Sequence, residues 1–490
     1  MSTPTHAADG ARASAAASLW APERRGLVTG LVLTTTFVAV EALAVLTIMP
    51  QVARQLGGLS LYGWVFSAFM LGSLVGTVAA GRDADRVGPA RAYLGGLGLF
   101  AAGLAVAGAA PSMAVLVVGR CLQGVGAGAV PAIAYVVIGR SLPERVRPRM
   151  LAVLSTAWVG PGLLGPVLSA EVARVFGWRV VFLGLIPLVA IAGALALPAL
   201  LRIGIPPAPA ADDGAPHGQV SAAEHRLLDA LRTAVGAALV LEALASRTLL
   251  LGAVLAAAGL AVGVPALRRL LPAGTLGARR GLPATILSRG LLTFAFFGGD
   301  AYVTLALTTV LHHRATTAGV LITISTLTWA AGSWLQARLS HRWEGRGFIR
   351  AGLVLILGGI AGMVISVRQA VPLAVPFAAW SAAGLGMGLA YAPTSLLMLR
   401  DASSDRTGWA SASLTLADVL GTALGTGIGG GALVLASNQR WSISTGVMLA
   451  FVLAGAGGVA GLAVSRRLPL RGAQPPRVAR ERVSEPARLA

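Results

Sequence analysis

Fourteen apolar stretches of 18 or more residues follow one another along this 490-residue chain. About 20 apolar residues are what an α-helix needs to cross the hydrocarbon core of a bilayer. Inside lipid the backbone must satisfy its own hydrogen bonds, which long helices do within one segment. The sequence therefore predicts an all-α polytopic membrane protein. Only 12% of the residues are charged, about half the share of a soluble domain. The runs are expected at about 27–49, 62–80, 93–110, 112–139, 149–175 and 178–201, then 227–245 and 248–266. The last six are at about 286–311, 318–337, 348–367, 371–399, 408–436 and 441–464.

The formal charge is +20, and all 39 basic residues are arginine. In a soluble protein that excess would suggest nucleic-acid binding. Here most arginines fall between the apolar runs, where they report topology instead. The seventh run is the least apolar, with Asp229, Arg232 and Glu242. Keeping it as a crossing puts most arginines on one side together with both termini, which predicts that both termini are cytoplasmic. Omitting it would put the later basic loops outside. The expected organisation is a tail at 1–26, a six-helix bundle at 27–202 and a cytoplasmic linker at 203–226. Two inserted transmembrane helices follow at 227–267, then a basic loop at 268–285. A second six-helix bundle occupies 286–465, and a basic tail 466–490. Cys121 is the one cysteine, so no disulfide forms within the chain; it is expected as a small buried apolar residue. No metal-ligand cluster, phosphate-binding loop or nucleophile elbow occurs, so no metal, no cofactor and no enzymatic activity is expected.

The two bundles are predicted to be repeats. Glu41 in LTTTFVAVEA (33–42) and Asp300 in LTFAFFGGDA (292–301) align at an offset of 259, with Leu33/Leu292, Thr34/Thr293, Phe37/Phe296 and Ala42/Ala301 identical. At an offset of 260, Gly72 and Ser73 match Gly332 and Ser333, and Arg82 and Arg86 match Arg342 and Arg346. Gly124, Gly126 and Gly128 match Gly384, Gly386 and Gly388, and Gly165 matches Gly425. Among 63 glycines, single matches carry little; matches in register across four runs imply duplication. Duplicated halves place a transport site at their interface, near mid-membrane.

An ionised carboxylate at mid-bilayer costs about 2.5–3.5 kcal/mol on insertion scales, so each one marks a site candidate. Glu41 and Asp300 lead as proton-coupling or substrate-binding groups, expected to face a water-accessible chamber between the halves. Asp418 is the third, with a hydrogen bond to Ser411 or Thr415 as its bland alternative. Glu242 lies close to a run end and reaches the interface. Arg120 lies roughly 12 Å into the fourth run, at the depth of Glu41, which makes Glu41 its expected counter-charge. Its repeat mate is Trp380, so this charge exists in one half only. The segment GRDADRVGPAR (81–91) reads as a tight turn with glycine bends and charges near helix ends, able to latch two helices in one conformation. Gly160-Pro161 and Gly165-Pro166 are expected to bend the fifth run.

These segments resemble the major facilitator superfamily, in particular its fourteen-helix drug:proton antiporters, over about 27–465. Gly81, Asp85, Arg86 and Gly88 match the family's loop signature; Pro89 stands where a basic residue is usual, and Arg91 comes slightly late. Arg120, Gln123 and Gly124 match the Arg-x-x-Gln-Gly signature that the family associates with proton coupling. Glu41 and Pro50 match the first-helix acid and its following proline, although the family usually has Asp there and threonine where Leu43 stands. Gly165-Pro166 resembles the antiporter signature, with Ser169-Ala170 replacing its usual glycine pair. The resemblance implies the major facilitator fold: two pseudo-symmetric six-helix bundles plus two extra helices, a monomer in the plasma membrane. It also implies efflux of hydrophobic or cationic small molecules in exchange for protons. Import of a nutrient by symport or facilitation, and a non-transporting sensor, are the alternatives.

Overall fold

In the computed structural model, residues 19–143, 146–203, 218–246, 248–369, 371–402 and 406–469 are described. Proline and glycine set where the helices start and stop. Helix α1 (Pro22–Leu56) opens on a proline, whose missing N–H costs nothing in the first turn, and ends at Gly57, whose φ is +68°. Helix α2 (Tyr62–Arg86) is followed by Gly88 at φ +89° and Pro89, which begins α3 (Pro89–Gly108). The chain continues as α4 (Met113–Ser141), α5 (Arg147–Thr156), α6 (Val159–Phe176), the short α7 (Trp178–Leu183) and α8 (Leu185–Arg202). Helices α9 (Gly218–Ala245) and α10 (Leu249–Leu270) form a hairpin. The last six are α11 (Leu282–Leu305), α12 (Ala315–Leu339), α13 (Gly345–Arg368), α14 (Ala374–Asp401), α15 (Thr407–Asn438) and α16 (Ile443–Val464).

Twelve helices among the described residues are long and apolar enough to cross a membrane. That is two fewer than the fourteen expected. Helix α9 carries Asp229, Arg232 and Glu242, and the fifth run is broken into α5 and α6. The break falls at Ala157–Trp158 and not at the glycine-proline pairs themselves. Pro161 is its cause: a proline ring clashes with the carbonyl four residues earlier, which is Ala157. Pro166 sits inside α6 without ending it. Other boundaries also move. Helix α9 starts at Gly218, inside the expected linker, and α11 starts at Leu282, inside the expected basic loop. Most of both expected tails, and 204–217 of the linker, lie outside the described residues.

Helices α1 to α8 pack mainly through the pairs α2–α4, α3–α4, α1–α8 and α1–α6; α11 to α16 pack through α13–α14, α11–α15, α12–α14 and α11–α16. Repeat-matched glycines line both sets of contacts. A Cβ on Gly124 would lie 2.0 Å from the Phe69 carbonyl oxygen, and one on its mate Gly384 2.3 Å from that of Ser325. Gly126 and Gly386 meet the Gly96 and Gly352 oxygens in the same way. Without a hydrophobic drive between helices in lipid, such close approach is what holds a bundle together.

The two sets meet through α2–α15 and α6–α12. The end of the bundle where α1 starts is called the near end below, and the other the far end. Among the described residues, the hydrogen bonds that join the sets run from mid-bundle to the far end. Tyr62 Oη donates to Ala301 O (3.2 Å), Thr304 Oγ1 to Leu46 O (2.8 Å) and Ser67 Oγ to Ala423 O (2.8 Å). Ser67 Oγ also shares a hydrogen bond with Thr426 Oγ1 (3.1 Å), and within the second set Tyr302 Oη donates to Thr426 O. Helix α9 covers the α2–α15 seam: Ala230, Ala234 and Ala237 pack on Leu71, Leu74, Leu420 and Ala423.

Gly124→Val is expected to separate α2 from α4 because backbone meets backbone there, at a cost of about 1–3 kcal/mol or more. A lower unfolding midpoint in detergent and loss of the monodisperse peak would show it. Gly81→Ala is the contrast. Gly81 lies inside α2 with nothing within 4 Å of an added Cβ, so stability should hold or rise by about 0.5–1 kcal/mol.

Candidate functional site

Glu41 on α1 is 1% exposed and Arg120 on α4 is 2% exposed. Arg120 Nη1 donates to Glu41 Oε1 and to Gln123 Oε1 (2.8 Å), and Arg120 Nε donates to the Val65 carbonyl (3.1 Å). The guanidinium carbon lies 4.3 Å from the Phe69 ring centroid. The glycine contacts between α2 and α4 put Val65 and Phe69 within reach. One carboxylate oxygen, Glu41 Oε2, and the amide nitrogen of Gln123 are enclosed and without a hydrogen-bond partner among the described residues. An orphaned oxygen beside a buried cation is a place where a proton, a water or a ligand atom gains a bond.

The equivalent place in the second repeat is built from different chemistry. Trp380 Nε1 on α14 donates to Asp300 Oδ1 on α11 at 2.7 Å. Trp380 is the repeat mate of Arg120, and Asp300 of Glu41. Each acid is thus held by the side chain at the matching position of the matching helix: a cation in one half, a neutral indole in the other. The indole stacks on Phe296 (centroids 5.6 Å, planes 18° apart), which packs it against α11.

Asp418 on α15 does not bond Ser411 or Thr415 through its carboxylate. Tyr391 Oη on α14 donates to Asp418 Oδ2 (2.6 Å), and Arg289 Nε on α11 lies 3.7 Å from the same oxygen. Arg289 also donates to Tyr391 O (2.8 Å) and Ser395 Oγ (3.0 Å) and stacks on the Tyr391 ring at 3.4 Å. Arg289 brings from α11 a counter-charge that the hydroxyls of α15 cannot supply, and the Tyr391 hydroxyl supplies the hydrogen bond. Arg289 and Tyr391 were not among the expected site residues. The available signal was an arginine at the border of an apolar run, with no carboxylate near it in sequence.

A chain of aromatic contacts joins the two acids of the second set. From Trp380 it passes to Phe296, then to Trp329 (5.5 Å) and Tyr391 (5.6 Å), with Phe297 alongside. Phe297, Trp329 and Tyr391 are half-buried.

Three expectations need correction. Glu41 and Asp300 do not open onto a water-accessible chamber in this conformation; packing and their own partners enclose them. The 81–91 segment is not a turn with two glycine bends: α2 runs on through Arg86, with Gly81 and Asp85 inside it, and the reversal is made at Gly88. Arg82 and Arg86 reach Glu224 on α9 (3.2 and 3.4 Å), while Arg91 is exposed at the start of α3. Cys121 is exposed on the outer surface of α4 and is not buried.

Residues 31–426 match the family model of the Major Facilitator Superfamily. Over 441 residues the chain is 28% identical to a probable multidrug-efflux transporter of Mycobacterium tuberculosis, covering 86% of this chain and 92% of that one. A Bacillus subtilis multidrug transporter protein is 29% identical over 160 residues, 33% of this chain and 30% of its own. Among solved structures, an inward-facing, occupied bacterial homologue of the human lysosomal transporter Spinster superposes with a TM-score of 0.63. It is 14% identical, over 91% of this chain and 97% of that one. An auto-inhibited POT-family peptide transporter gives 0.61 at 17% identity, over 95% and 99%. At such identities the solved structures speak for the fold alone.

Removing one partner of a buried ion pair typically costs about 3–5 kcal/mol, whereas replacing both with apolar residues is often neutral. Arg120→Met should therefore lower the unfolding midpoint steeply, and Glu41→Leu added to it should restore most of the loss. A double variant no more stable than Arg120→Met would mean that the pair is not the reason for the loss. Trp380→Phe strands Asp300 and should cost about 1–3 kcal/mol by the same measurement.

Proposed function

This chain belongs to the major facilitator superfamily, and from that premise we propose that it exports apolar, aromatic or cationic small molecules in exchange for protons. It is a membrane transporter of small molecules and not an enzyme. The observation that carries the proposal is the matched pair of buried acids, Glu41 and Asp300, each gripped by the repeat-equivalent side chain of the other helix. Proton exchange at Asp300 leaves no cation behind, because its partner is an indole. Proton exchange at Glu41 releases Arg120, which already has the Val65 carbonyl and the Gln123 amide oxygen as alternative acceptors. Each event changes how tightly α1 holds α4, or α11 holds α14. That is how a bound proton biases one arrangement of the halves over another.

The half-buried face of Phe297, Trp329 and Tyr391, with Asp418 at its edge, suits a flat apolar body bearing a positive charge. The name of the Mycobacterium tuberculosis relative, a probable multidrug-efflux transporter, points the same way. One inward proton supplies about 2.3 kcal/mol per 100 mV and about 1.4 kcal/mol per pH unit. At tight coupling this supports an export gradient on the order of a hundredfold or more.

The reading includes fourteen crossings in the plasma membrane: the twelve apolar helices, α9, and the α5–α6 pair as one broken span. The two bundles are residues 27–202 and 286–465, with the hairpin 227–267 inserted, and the protein acts as a monomer. Both termini are cytoplasmic. In support, Arg82, Arg86, Arg147, Arg268, Arg279 and Arg338 are among the many arginines at near-end helix termini and loops, against fewer at the far end. The far-end hydrogen bonds between the halves then correspond to an outward side that is shut. Residues 81–91 act as a latch, with Arg86 gripping Glu224 on this side and Gly88 and Arg91 shaping the turn.

Reconstituted in liposomes with an imposed pH gradient, the protein should move a cationic dye against its gradient and collapse the proton gradient as it does so. Glu41→Gln and Asp300→Asn should each reduce pH-driven transport by an order of magnitude or more while leaving dye binding measurable. A Glu41→Gln protein with undiminished pH-driven export would remove Glu41 from the coupling role. Movement of dye with the protons, not against them, would replace export by symport.

A further inference from the structure

We propose that the loop joining α10 to α11 is a binding site for a phosphate group, presented by an anionic phospholipid headgroup or by a soluble phosphate. The loop borders a half-open depression of about 480 Å³ lined by Arg268, Leu271, Gly274, Leu276 and Arg279 among others, and none of its lining residues is acidic. Arg268 lies in the last turn of α10, so the depression lies where two apolar spans leave the bilayer, at headgroup depth.

The charges at this depression are not consumed by the protein. Arg269, next along the chain, is paired with Asp229 at 3.2 Å. Among the described residues, neither Arg268 nor Arg279 has a carboxylate within ion-pair distance, and both are exposed. A third arginine adds to them: Arg467 Nη1 donates to Gly277 O (2.8 Å) and Ala278 O (3.2 Å), pinning the loop with a cation where an acid would have cancelled charge.

The loop is also preformed. Successive short backbone hydrogen bonds run from Thr275 N to Pro272 O, Ala278 N to Thr275 O, and Arg279 N to Gly274 O. Gly274 has φ +87°, and a Cβ there would lie 2.3 Å from Arg279 Cδ. A glycine is therefore what lets the arginine stem lie back across the loop. Ala278 has φ +51°, a conformation that a residue with a Cβ seldom adopts without a reason in its surroundings. Guanidinium groups match phosphate oxygens in pairs, and Leu276, 45% exposed beside them, offers an apolar contact for a glycerol or acyl segment. Basic pockets beside transmembrane helices are where anionic headgroups are recognised.

The test is thermal unfolding of the full-length protein in detergent, titrated separately with phosphatidylglycerol, phosphatidylcholine and inorganic phosphate. Phosphatidylglycerol should raise the midpoint and phosphatidylcholine should not. Arg268→Gln with Arg279→Gln should weaken that response roughly tenfold or more in apparent Kd. Arg314→Gln with Arg368→Gln, which removes two far-end arginines, should leave it unchanged and controls for net charge. A response to inorganic phosphate alone, lost in the same double variant, would assign the site to a soluble phosphate. If the double variant unfolds at the wild-type midpoint in phosphatidylcholine yet keeps the full phosphatidylglycerol response, the site is overturned. A fresh variant, Gly274→Val, checks the result where the double variant does not fold: it displaces Arg279 with all charges kept and should reduce the same response.

Discussion

A carboxylate inside hydrocarbon must be paired, hydrogen-bonded or neutralised, and this constraint organises the two halves of the molecule. Glu41 is tied to Arg120 and Asp300 to Trp380. Both ties cross from the first helix of a repeat to its fourth. Beside them, glycines let α4 and α14 approach α2 and α12 until backbone touches backbone, at Phe69 and Ser325. At the second tie itself Gly299 makes the room: a Cβ there would lie 2.7 Å from the Trp380 ring.

The duplicated framework carries unlike chemistry. Charge in the first half is balanced locally by Arg120. In the second, Asp300 receives a neutral donor, and the arginine of that half, Arg289, comes from α11 and serves Asp418. A symmetric fold thus carries asymmetric charges. The aromatic contacts from Trp380 through Phe296 and Trp329 to Tyr391 connect the two acids of the second half.

Much of this was legible in the sequence, and the rest was not, for identifiable reasons. Run lengths and hydropathy place the helices, because lipid leaves the backbone few choices. Depth along a helix was enough to pair Glu41 with Arg120. Depth says nothing about direction around the helix, so the partner of Asp418 was sought one turn away on α15 and lies instead on α11 and α14. Trp380 read as the loss of a charge; that its indole replaces the guanidinium as donor depends on a ring orientation that Phe296 sets. The bend of the fifth run was expected at its two Gly-Pro pairs, although a proline acts on the carbonyl four residues earlier, which for Pro161 is Ala157. The 81–91 turn was overdrawn because glycine in a membrane helix more often marks close packing or tolerance than a bend.

The inserted hairpin is a rigid pair of helices laid over the seam between the two halves. Helix α9 touches both α2 and α15. Its contact with α15 is smooth, with Leu241 over Gly427 and Leu244 over Gly431. Glycine faces have no side-chain ridges, so the leucines lie directly on the α15 backbone there. Its near-end contact with α2 is an exposed ion pair from Arg82 and Arg86 to Glu224, of a kind that contributes at most about 1 kcal/mol. Together these contacts keep the seam covered from lipid. Within α9 and α10, by contrast, Asp229 is buried and bound to Arg269 and Arg232, so the hairpin itself is fixed. A fixed hairpin laid on that seam shields the α2–α15 contact from lipid.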